Sequence, residues 1–268
     1  MDFWNCIENF ANVFTILGIV FIYYQIHLQT KKDKFELIIQ LSNDFYNNDK
    51  LQGVFEFLDE DGKKISEINQ ALEKVIWQGE VIKRGDRNEN SIKEIHFNIY
   101  FNFFNSIAVL VEEKVVKKEL AMQLFRYQLE KTFCYPIMFK YMEDFGFEKL
   151  KLLLPDELFT YGTLSSPTDR SEIVELGSYA NHLINKEQIV LSDFEIVDVH
   201  SDQIYKGMIP SKKGGHVLGT ILKIKEKASW SELFSKLDQY EEVDTLYERK
   251  IIRINDTRKY VWTYLKKN

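Results

Sequence analysis

The residue types most often used for metal binding and covalent catalysis are few in this chain. The 268 residues include only two cysteines, and the histidines are scattered, with no pair three or four positions apart: His27, His96, His182, His200 and His216. No HExxH, CxxC, GxGxxG or GxxxxGK[ST] motif is present. Residues 59–62 (DEDG) resemble part of a calcium loop, but a glycine at the sixth loop position would make Phe57 the first ligand. The sequence therefore predicts no metal site and no cofactor.

Two clusters about 80 residues apart carry a more specific pattern. The first is FTYGTL at residues 159–164, and the second combines LDQYE at residues 237–241 with LYER at residues 246–249. They resemble the YGTL loop and the LDxYEG…YxR signature of the gamma-glutamyl cyclotransferase-like family. Three further runs fall in the order that the family has: residues 205–210 (YKGMIP), 217–222 (VLGTIL) and 260–264 (YVWTY). The chain from about Leu158 to Leu265 is therefore identified as a member of that family.

The resemblance implies a cyclotransferase-type enzyme, an acyltransferase or lyase, that releases 5-oxoproline and an amine from a small gamma-glutamyl compound. The α-amine of the substrate attacks its own γ-carbonyl, so that neither a protein nucleophile nor a metal is required. Glu241 matches the catalytic glutamate of the family and is implied to be the general acid/base. The residues implied to bind the substrate are Tyr161, Gly162, Thr163, Leu164 and Tyr247.

Four residues of these motifs also have a simpler structural interpretation. Glu241 is followed by Glu242 and Asp244, and it would then be a solvated charge at a helix end. Gly162 would only permit a tight turn, and Tyr247 would belong to a core. For Arg249 we expect an ion pair with a carboxylate rather than contact with a substrate.

The chain departs from the family pattern at two places. Residues 165–167 (SSP) follow YGTL where the family often has a basic residue and a glycine. Glu242 occupies the position of the glycine after the catalytic glutamate, where its charge would raise the pKa of Glu241 further or alter the turn. These departures support an alternative, a non-catalytic gamma-glutamyl ligand-binding or interaction module coupled to a membrane-anchored helical domain.

The elements that would position these residues begin near Pro155, where the balance of acidic and basic residues changes. From Leu158 onward the chain has 16 Lys+Arg and 16 Asp+Glu, so the whole net charge of −6 lies in the preceding residues. Short β-like runs surround one helix, whose N-cap is expected to be Ser229 with Glu232 three positions later. Gly219, inside one predicted strand, indicates a bulge or a close backbone approach. Residues 155–268 are therefore predicted to form a gamma-glutamyl cyclotransferase-like domain, a small mixed β-barrel.

The preceding region, residues 31–154, is predicted to be an all-α bundle. Apolar residues from Ile65 to Ile76 follow helical spacing, Ser91 is a candidate N-cap, and Pro136 is expected to kink or end a helix. Residues 103–111 (FFNSIAVLV), with Leu120 and residues 124–127, resemble an uncharacterised bacterial family that has one membrane helix and a cytoplasmic helical bundle. A homo-oligomer formed through this domain is a further expectation.

An uncharged segment, residues 10–30, precedes the bundle. Its 21 residues would span about 30 Å as a helix, which is the thickness of a bilayer core. Lys31, Lys32 and Lys34 follow it, so the positive-inside rule places the N-terminus outside and the bulk in the cytoplasm. We therefore predict α+β architecture behind a transmembrane anchor (1–30) in the inner or cell membrane, with a buried core helix as the alternative. The acidic balance, with a pI of about 5.5, argues against nucleic acid as a partner.

Overall fold

The computed structural model describes residues 29, 32–34, 36–60, 64–82, 91–199, 206–255, 257 and 259–267. The chain divides into two compact units, residues 1–47 and residues 48–268. Within the first unit, residues 36–46 are helical. The predicted membrane segment, residues 10–30, lies outside the described residues except for Gln29. No helix in the described ranges has the length and apolar character needed to cross a bilayer, and the anchor stays a prediction.

The second unit begins with five α-helices, in agreement with the predicted all-α region. They are α1 (Asp49–Leu58), α2 (Ile65–Gln78), α3 (Glu94–Glu112), α4 (Lys118–Phe133) and α5 (Pro136–Asp144). In α2 the predicted spacing is confirmed, since it buries Ile68, Leu72, Val75 and Ile76 on one face.

One local prediction for the helices is wrong, and another is confirmed. The helix expected after Ser91 begins only at Glu94, and its N-cap residue, Lys93, makes no side-chain cap bond. Helix α4 ends at Phe133, before Pro136, as predicted, and Pro136 occupies the first turn of α5. A proline is compatible with that position because the first N–H groups of a helix have no partner within the helix.

The sheet region follows a 3₁₀ turn at Glu148–Leu152. Its strands are β1 (Glu157–Thr160), β2 (Leu183–Ser192), β3 (Phe194–Asp198), β4 (Lys206–Pro210), β5 (His216–Ile224), β6 (Tyr247–Arg253) and β7 (Tyr260–Lys266). Two helices interrupt them, α6 (Pro167–Ser171) and α7 (Trp230–Tyr240). Five strands form one sheet in the order β2-β5-β1-β7-β6, in which only the β1–β7 pair is parallel.

The predicted closed barrel is wrong for the described residues, because β2 and β6 are the two edges of an open sheet. β3 and β4 pair only with each other, as a separate two-stranded ribbon. The outer edge of β6 is covered by helix α4 instead of by a strand. Arg126 donates to the carbonyl of Ile251 (2.7 Å), and Glu130 accepts from the N–H of Ile251 (2.7 Å). Two side chains thus satisfy backbone groups that a further strand would otherwise use.

Different elements pack against the two faces of the sheet, as the alternating side chains of β7 show. Val261 and Leu265 belong to a core that also contains Met208 of the β3–β4 ribbon. Trp262, on the opposite face, packs against Phe139 of α5 and Phe234 of α7. The helical region and the sheet therefore share one aromatic core inside residues 48–268.

Gly219 confirms the predicted close backbone approach. A Cβ built at this position in β5 would lie 2.3 Å from the ring of Phe159 and 2.4 Å from the carbonyl oxygen of Thr160. Only a residue without a side chain fits between β5 and β1 at this point.

Candidate active site

The YGTL loop begins where β1 ends. Gly162 has a φ of +72°, a conformation that favours glycine, and it opens a 3₁₀ turn over Gly162–Ser165. Leu164 is buried, and its carbonyl accepts a hydrogen bond from the buried guanidinium of Arg170 at 2.8 Å. The loop is therefore held at the carbonyl of Leu164 by a residue outside the loop.

Tyr161 connects this loop to two other strands. Its hydroxyl donates to the carbonyl of Tyr264 in β7 (3.0 Å) and accepts from the N–H of Met208 in β4 (3.0 Å). Burial raises the pKa of this phenol above its usual range. Both hydrogen-bonding functions of the hydroxyl are used, so Tyr161 contributes its ring and its position to the site.

Glu241 is the C-cap residue of helix α7. The helix begins as predicted, because the hydroxyl of Ser229 accepts a hydrogen bond from the N–H of Glu232. Glu241 comes one helical turn after Asp238, and its own N–H bonds to the carbonyl of Leu237. Among the described residues, the carboxylate of Glu241 makes no hydrogen bond or ion pair. The helix therefore fixes the backbone of Glu241, and no cationic residue that the structure describes pairs with its side chain.

The environment of Glu241 favours its protonated form. Burial, and to a smaller extent the nearby carboxylate of Asp238, raise the pKa of this carboxyl to about 8. The carboxylate that adds to this shift is Asp238 and not Glu242, for which the sequence predicted either a raised pKa of Glu241 or an altered turn. A carboxyl of this kind can accept or donate a proton near neutral pH.

Asp238 lies at the centre of a buried polar network behind Glu241. Its Oδ1 accepts from the hydroxyl of Tyr264 (2.8 Å) and lies 3.2 Å from Nη1 of Arg249. Burial raises the pKa of Asp238 to about 6, although the guanidinium and the tyrosine hydroxyl oppose this shift. The guanidinium also lies 4.3 Å from the ring centroid of Phe234 and donates to the carbonyl of Phe133 at 2.5 Å. The expectation that Arg249 pairs with a carboxylate is thus confirmed.

One cavity of about 390 Å³ brings the two predicted clusters together. All six predicted site residues line it: Tyr161, Gly162, Thr163, Leu164, Glu241 and Tyr247. The phenol of Tyr247, at the start of β6, donates to the carbonyl of Lys206 at 3.0 Å. Their roles stay predictions, but residues about 80 positions apart in sequence share one pocket.

Eight further residues line this cavity that the sequence did not assign to the site: Phe159, Thr160, Glu175, Lys206, Tyr240, Glu242, Leu246 and Tyr264. Glu175 lies in an irregular segment outside any motif, and Lys206 was quoted only as part of the run at residues 205–210. Lys206 forms an ion pair with Asp198 across the β3–β4 ribbon. Asp238 was part of a quoted motif, but nothing in the sequence indicated that it would affect the pKa of Glu241. Among the described residues, no group of three or more His, Cys, Asp or Glu side chains is placed to hold a metal ion.

The two departures from the family pattern have local structural effects. Glu242 has a φ of +46°, in the left-handed region, which explains why a glycine suits this position. Ser166 is the N-cap of α6, and Pro167 occupies its first turn. Arg170 of that helix is the residue that holds the carbonyl of Leu164. The altered residues after YGTL therefore form a helix start that braces the loop.

The family model described as "Gamma-glutamyl cyclotransferase, AIG2-like" matches residues 158–268. These residues thus carry a gamma-glutamyl cyclotransferase-like domain. Among solved structures, the crystal structure of YkqA from Bacillus subtilis is similar at 17% identity, with a TM-score of 0.34. The similarity covers 48% of this chain and 45% of that chain, so this chain matches less than half the length of that protein. No curated protein matches the chain. The resemblance of the helical region to a membrane-anchored family stays a prediction.

Proposed function

We propose that residues 158–268 form an active cyclotransferase that converts a gamma-glutamyl compound into 5-oxoproline and a free amine. One observation carries the proposal. A carboxyl group with a pKa raised to about 8 lies in the same cavity of about 390 Å³ as the YGTL loop. The match of residues 158–268 to the cyclotransferase family supports the same reaction.

In the proposed reaction, Glu241 moves two protons in turn from the α-nitrogen to the leaving nitrogen. The ionised carboxylate accepts a proton from the α-ammonium of the substrate, and the freed amine attacks the γ-carbonyl carbon. A carbon–nitrogen bond forms in the five-membered ring, and the bond from the γ-carbon to the leaving nitrogen breaks. Glu241 then donates its proton to that nitrogen, and the ionised carboxylate takes the second proton from the ring nitrogen and passes it to the released amine. The amine departs as an ammonium ion, and Glu241 is again ionised. A pKa between those of an ordinary carboxylic acid and an ammonium group suits both steps.

The remaining cavity residues would position the substrate. Ring closure within one molecule depends on bringing the amine and the carbonyl to reacting distance, and positioning of this kind contributes several kcal/mol to the barrier reduction. Backbone N–H groups of the loop from Gly162 to Leu164 would bind the α-carboxylate or the developing oxyanion. Tyr161 and Tyr247 would form the walls, since their hydroxyls bond to backbone atoms of other strands.

A binding module without turnover is the second candidate. Glu242 in a left-handed conformation adds an acidic side chain to the cavity at the position where the family has glycine. If this side chain displaces the substrate from its reactive geometry, the domain would bind gamma-glutamyl ligands without cleaving them. The same purified protein discriminates between the two candidates, because binding and turnover are separate measurements.

The test uses the full chain, because Phe139 of α5 packs against both Phe234 of α7 and Trp262 of β7. A fragment starting near residue 151 would expose these side chains to water. Gamma-glutamyl amino acids, gamma-glutamyl amines and glutathione are incubated with the protein, and 5-oxoproline is measured by mass spectrometry. Glu241→Gln keeps the shape of the side chain and removes its ability to accept a proton, whereas Glu242→Gln is the matched control on the next residue.

We expect 5-oxoproline from the wild type and from Glu242→Gln, and a decrease of about 10²–10⁴-fold with Glu241→Gln. Equal turnover by wild type and Glu241→Gln would refute the proposed role of Glu241. Saturable ligand binding without any 5-oxoproline would establish the binding module instead.

Membrane attachment and self-association belong to the same proposal. Residues 10–30 would anchor the enzyme in the inner or cell membrane, with its bulk in the cytoplasm, and the helical domain would form a homo-oligomer. Carbonate extraction of membranes from cells expressing the full chain tests the anchor, because an integral helix resists extraction. A protein that is released quantitatively would contradict it, and light scattering of the purified protein measures its oligomeric state.

A further inference from the structure

The helix that carries Glu241 at its C-terminal end is also bound at its N-terminal end by the helical region. The carboxylate of Glu143, near the end of α5, accepts from the hydroxyl of Ser229 (3.0 Å) and from the N–H of Trp230 (2.8 Å). Lys151 pairs with the same carboxylate at 3.2 Å. A group outside the cyclotransferase-like domain thus binds the first turn of α7.

The turn after α7 is bound to the helical region by a second carboxylate. Oδ1 of Asp244 accepts from the N–H of Ile65 (2.8 Å), and Oδ2 accepts from the N–H of Ser66 (3.2 Å). These N–H groups belong to the first turn of α2, whose own N-cap residue, Lys64, provides no side-chain acceptor. The N-terminal end of α2 therefore obtains its cap from a residue nearly 180 positions later in the chain.

The two bound ends are connected through the helices themselves. Helices α2 and α5 pack against each other, and so do α5 and α7. Phe139 of α5 stacks on Phe234 of α7, with ring centroids 4.8 Å apart and an interplanar angle of 11°. Helix α7 and the turn after it are thus bound to the helical region at both ends and along one side. We call this set of contacts the bracket and define it as Glu143, Phe139 and Asp244 together with the groups they contact.

We propose that this bracket positions the catalytic helix, and that Asp244 is a positioning residue for Glu241. The inference rests on the proposed cyclotransferase function. It adds a role for residues 48–154, which lie outside the part of the chain that the family model matches. The helical region would act as a built-in part of the active site without contacting the substrate.

The geometry of the turn explains why the Asp244 contact would affect catalysis. Asp244 follows Glu241 by three residues and precedes Tyr247 by three, and both of these line the cavity. Within the turn, the N–H groups of Thr245 and Leu246 bond to the carbonyl of Glu242, which is itself in a left-handed conformation. If the α2 contact is lost, this turn can relax, and Glu241 and Tyr247 then change position together. A displacement of about 1 Å at a reacting group can lower a rate by up to about 10²-fold.

The experiment compares three variants of the full chain. Asp244→Ala removes both acceptors from the N-terminal end of α2, whereas Asp244→Asn keeps one of them. Asn48→Ala is the matched control, since Oδ1 of Asn48 accepts from the N–H groups of Lys50 and Leu51 at the start of α1, in an equivalent cap away from the cavity. The kcat and KM for 5-oxoproline release are measured well below the melting temperature, and amide hydrogen exchange is followed in residues 241–247.

Both alanine variants should lower the melting temperature by about 2–4 °C, as the loss of a helix cap does. Only Asp244→Ala should lower kcat, by about tenfold or more with KM changed less than about threefold, and Asp244→Asn should restore most of it. Equal kcat in Asp244→Ala and wild type, or equal decreases in Asp244→Ala and Asn48→Ala, would overturn the inference.

The exchange measurement separates this inference from the proposed function. Faster exchange in residues 241–247 is expected in Asp244→Ala but not in Asn48→Ala. If the wild type releases no 5-oxoproline, the proposed function fails, and the exchange rates alone decide whether the bracket holds the turn. Unchanged exchange in Asp244→Ala would overturn it in that case as well.

Discussion

Replacing Glu241 by glutamine should make the protein more stable, and the gain should grow with pH. Burial and the nearby carboxylate of Asp238 raise the pKa of Glu241 to about 8, from an ordinary value of 4.5. Between these two values the unfolded chain ionises its carboxyl, whereas the folded chain keeps it protonated. The free energy of unfolding therefore falls as the pH rises from about 4.5 to about 8. Glutamine carries no charge at any of these values and avoids this loss.

The size of the effect follows from the shift. The difference between 8 and 4.5 is 3.5 pKa units, which corresponds to at most about 5 kcal/mol above pH 8. Glu241 is only partly buried, so water reduces this value, and we expect about 2–4 kcal/mol at pH 8.5 and less than about 1 kcal/mol at pH 5. For a chain of this size, such a gain raises the melting temperature by about 5–10 °C at pH 8.5. The side chain of Glu241 makes no recorded hydrogen bond among the described residues, so the substitution sacrifices none.

The assay is thermal unfolding of wild type, Glu241→Gln and Glu242→Gln between pH 5 and pH 9. Glu242 is exposed on the same turn, and its substitution should leave the melting temperature within about 1 °C of wild type at every pH. A pH-independent difference between Glu241→Gln and wild type would show that Glu241 titrates normally. A lower melting temperature of Glu241→Gln at pH 8.5 would refute the reasoning altogether.

Three further outcomes follow from the same structure. Because Glu241 accepts a proton only when ionised, kcat/KM for 5-oxoproline release should rise about tenfold per pH unit below pH 8 and level off above it, and a flat profile from pH 6 to pH 8 would contradict this. Glu242→Gly should raise the melting temperature by about 1–3 °C, since glycine adopts the left-handed conformation without the strain that a side chain causes. A lower melting temperature would show that the turn is not strained. Gly219→Ala should lower the stability by about 2–4 kcal/mol in urea unfolding, because its methyl group would overlap Phe159 and Thr160; a loss below about 1 kcal/mol would mean that the strands can separate.

Several features of the site were available from local patterns. Ser229 and Glu232 mark the start of the helix that carries Glu241, because a hydroxyl acceptor and an acidic residue three positions later satisfy free N–H groups at a helix start. Gly219 signalled a close approach of two strands, since a glycine inside a strand leaves space for a neighbour. The N-cap expected at Ser91 was wrong, because capping depends on where the helix is packed as well as on the residues before it.

Long-range contacts could not be read from the same patterns. Asp244 caps α2 although the two lie far apart in sequence. Glu130 of α4 accepts a hydrogen bond from the edge strand β6. In both cases a backbone group finds its acceptor far away in sequence, and the acidic residues that supply it look like ordinary surface charges in the sequence. The open sheet could not be predicted from these patterns either, since Arg126 and Glu130 of α4 reach the edge of β6 only in the folded structure.

The chemistry proposed for this protein follows from residue identity and order along the chain. The order of YGTL, LDxYE and the closing aromatic strand identified the domain, and Glu241 was the residue singled out for proton transfer. The behaviour of that carboxyl depends instead on the folded structure. The pKa of Glu241 depends on how much water the surrounding strands exclude and on the distance to Asp238, and both are set by packing of α7 against β7 and α5. Residue identity is a property of the sequence alone, whereas desolvation and charge separation arise only after distant segments have come together.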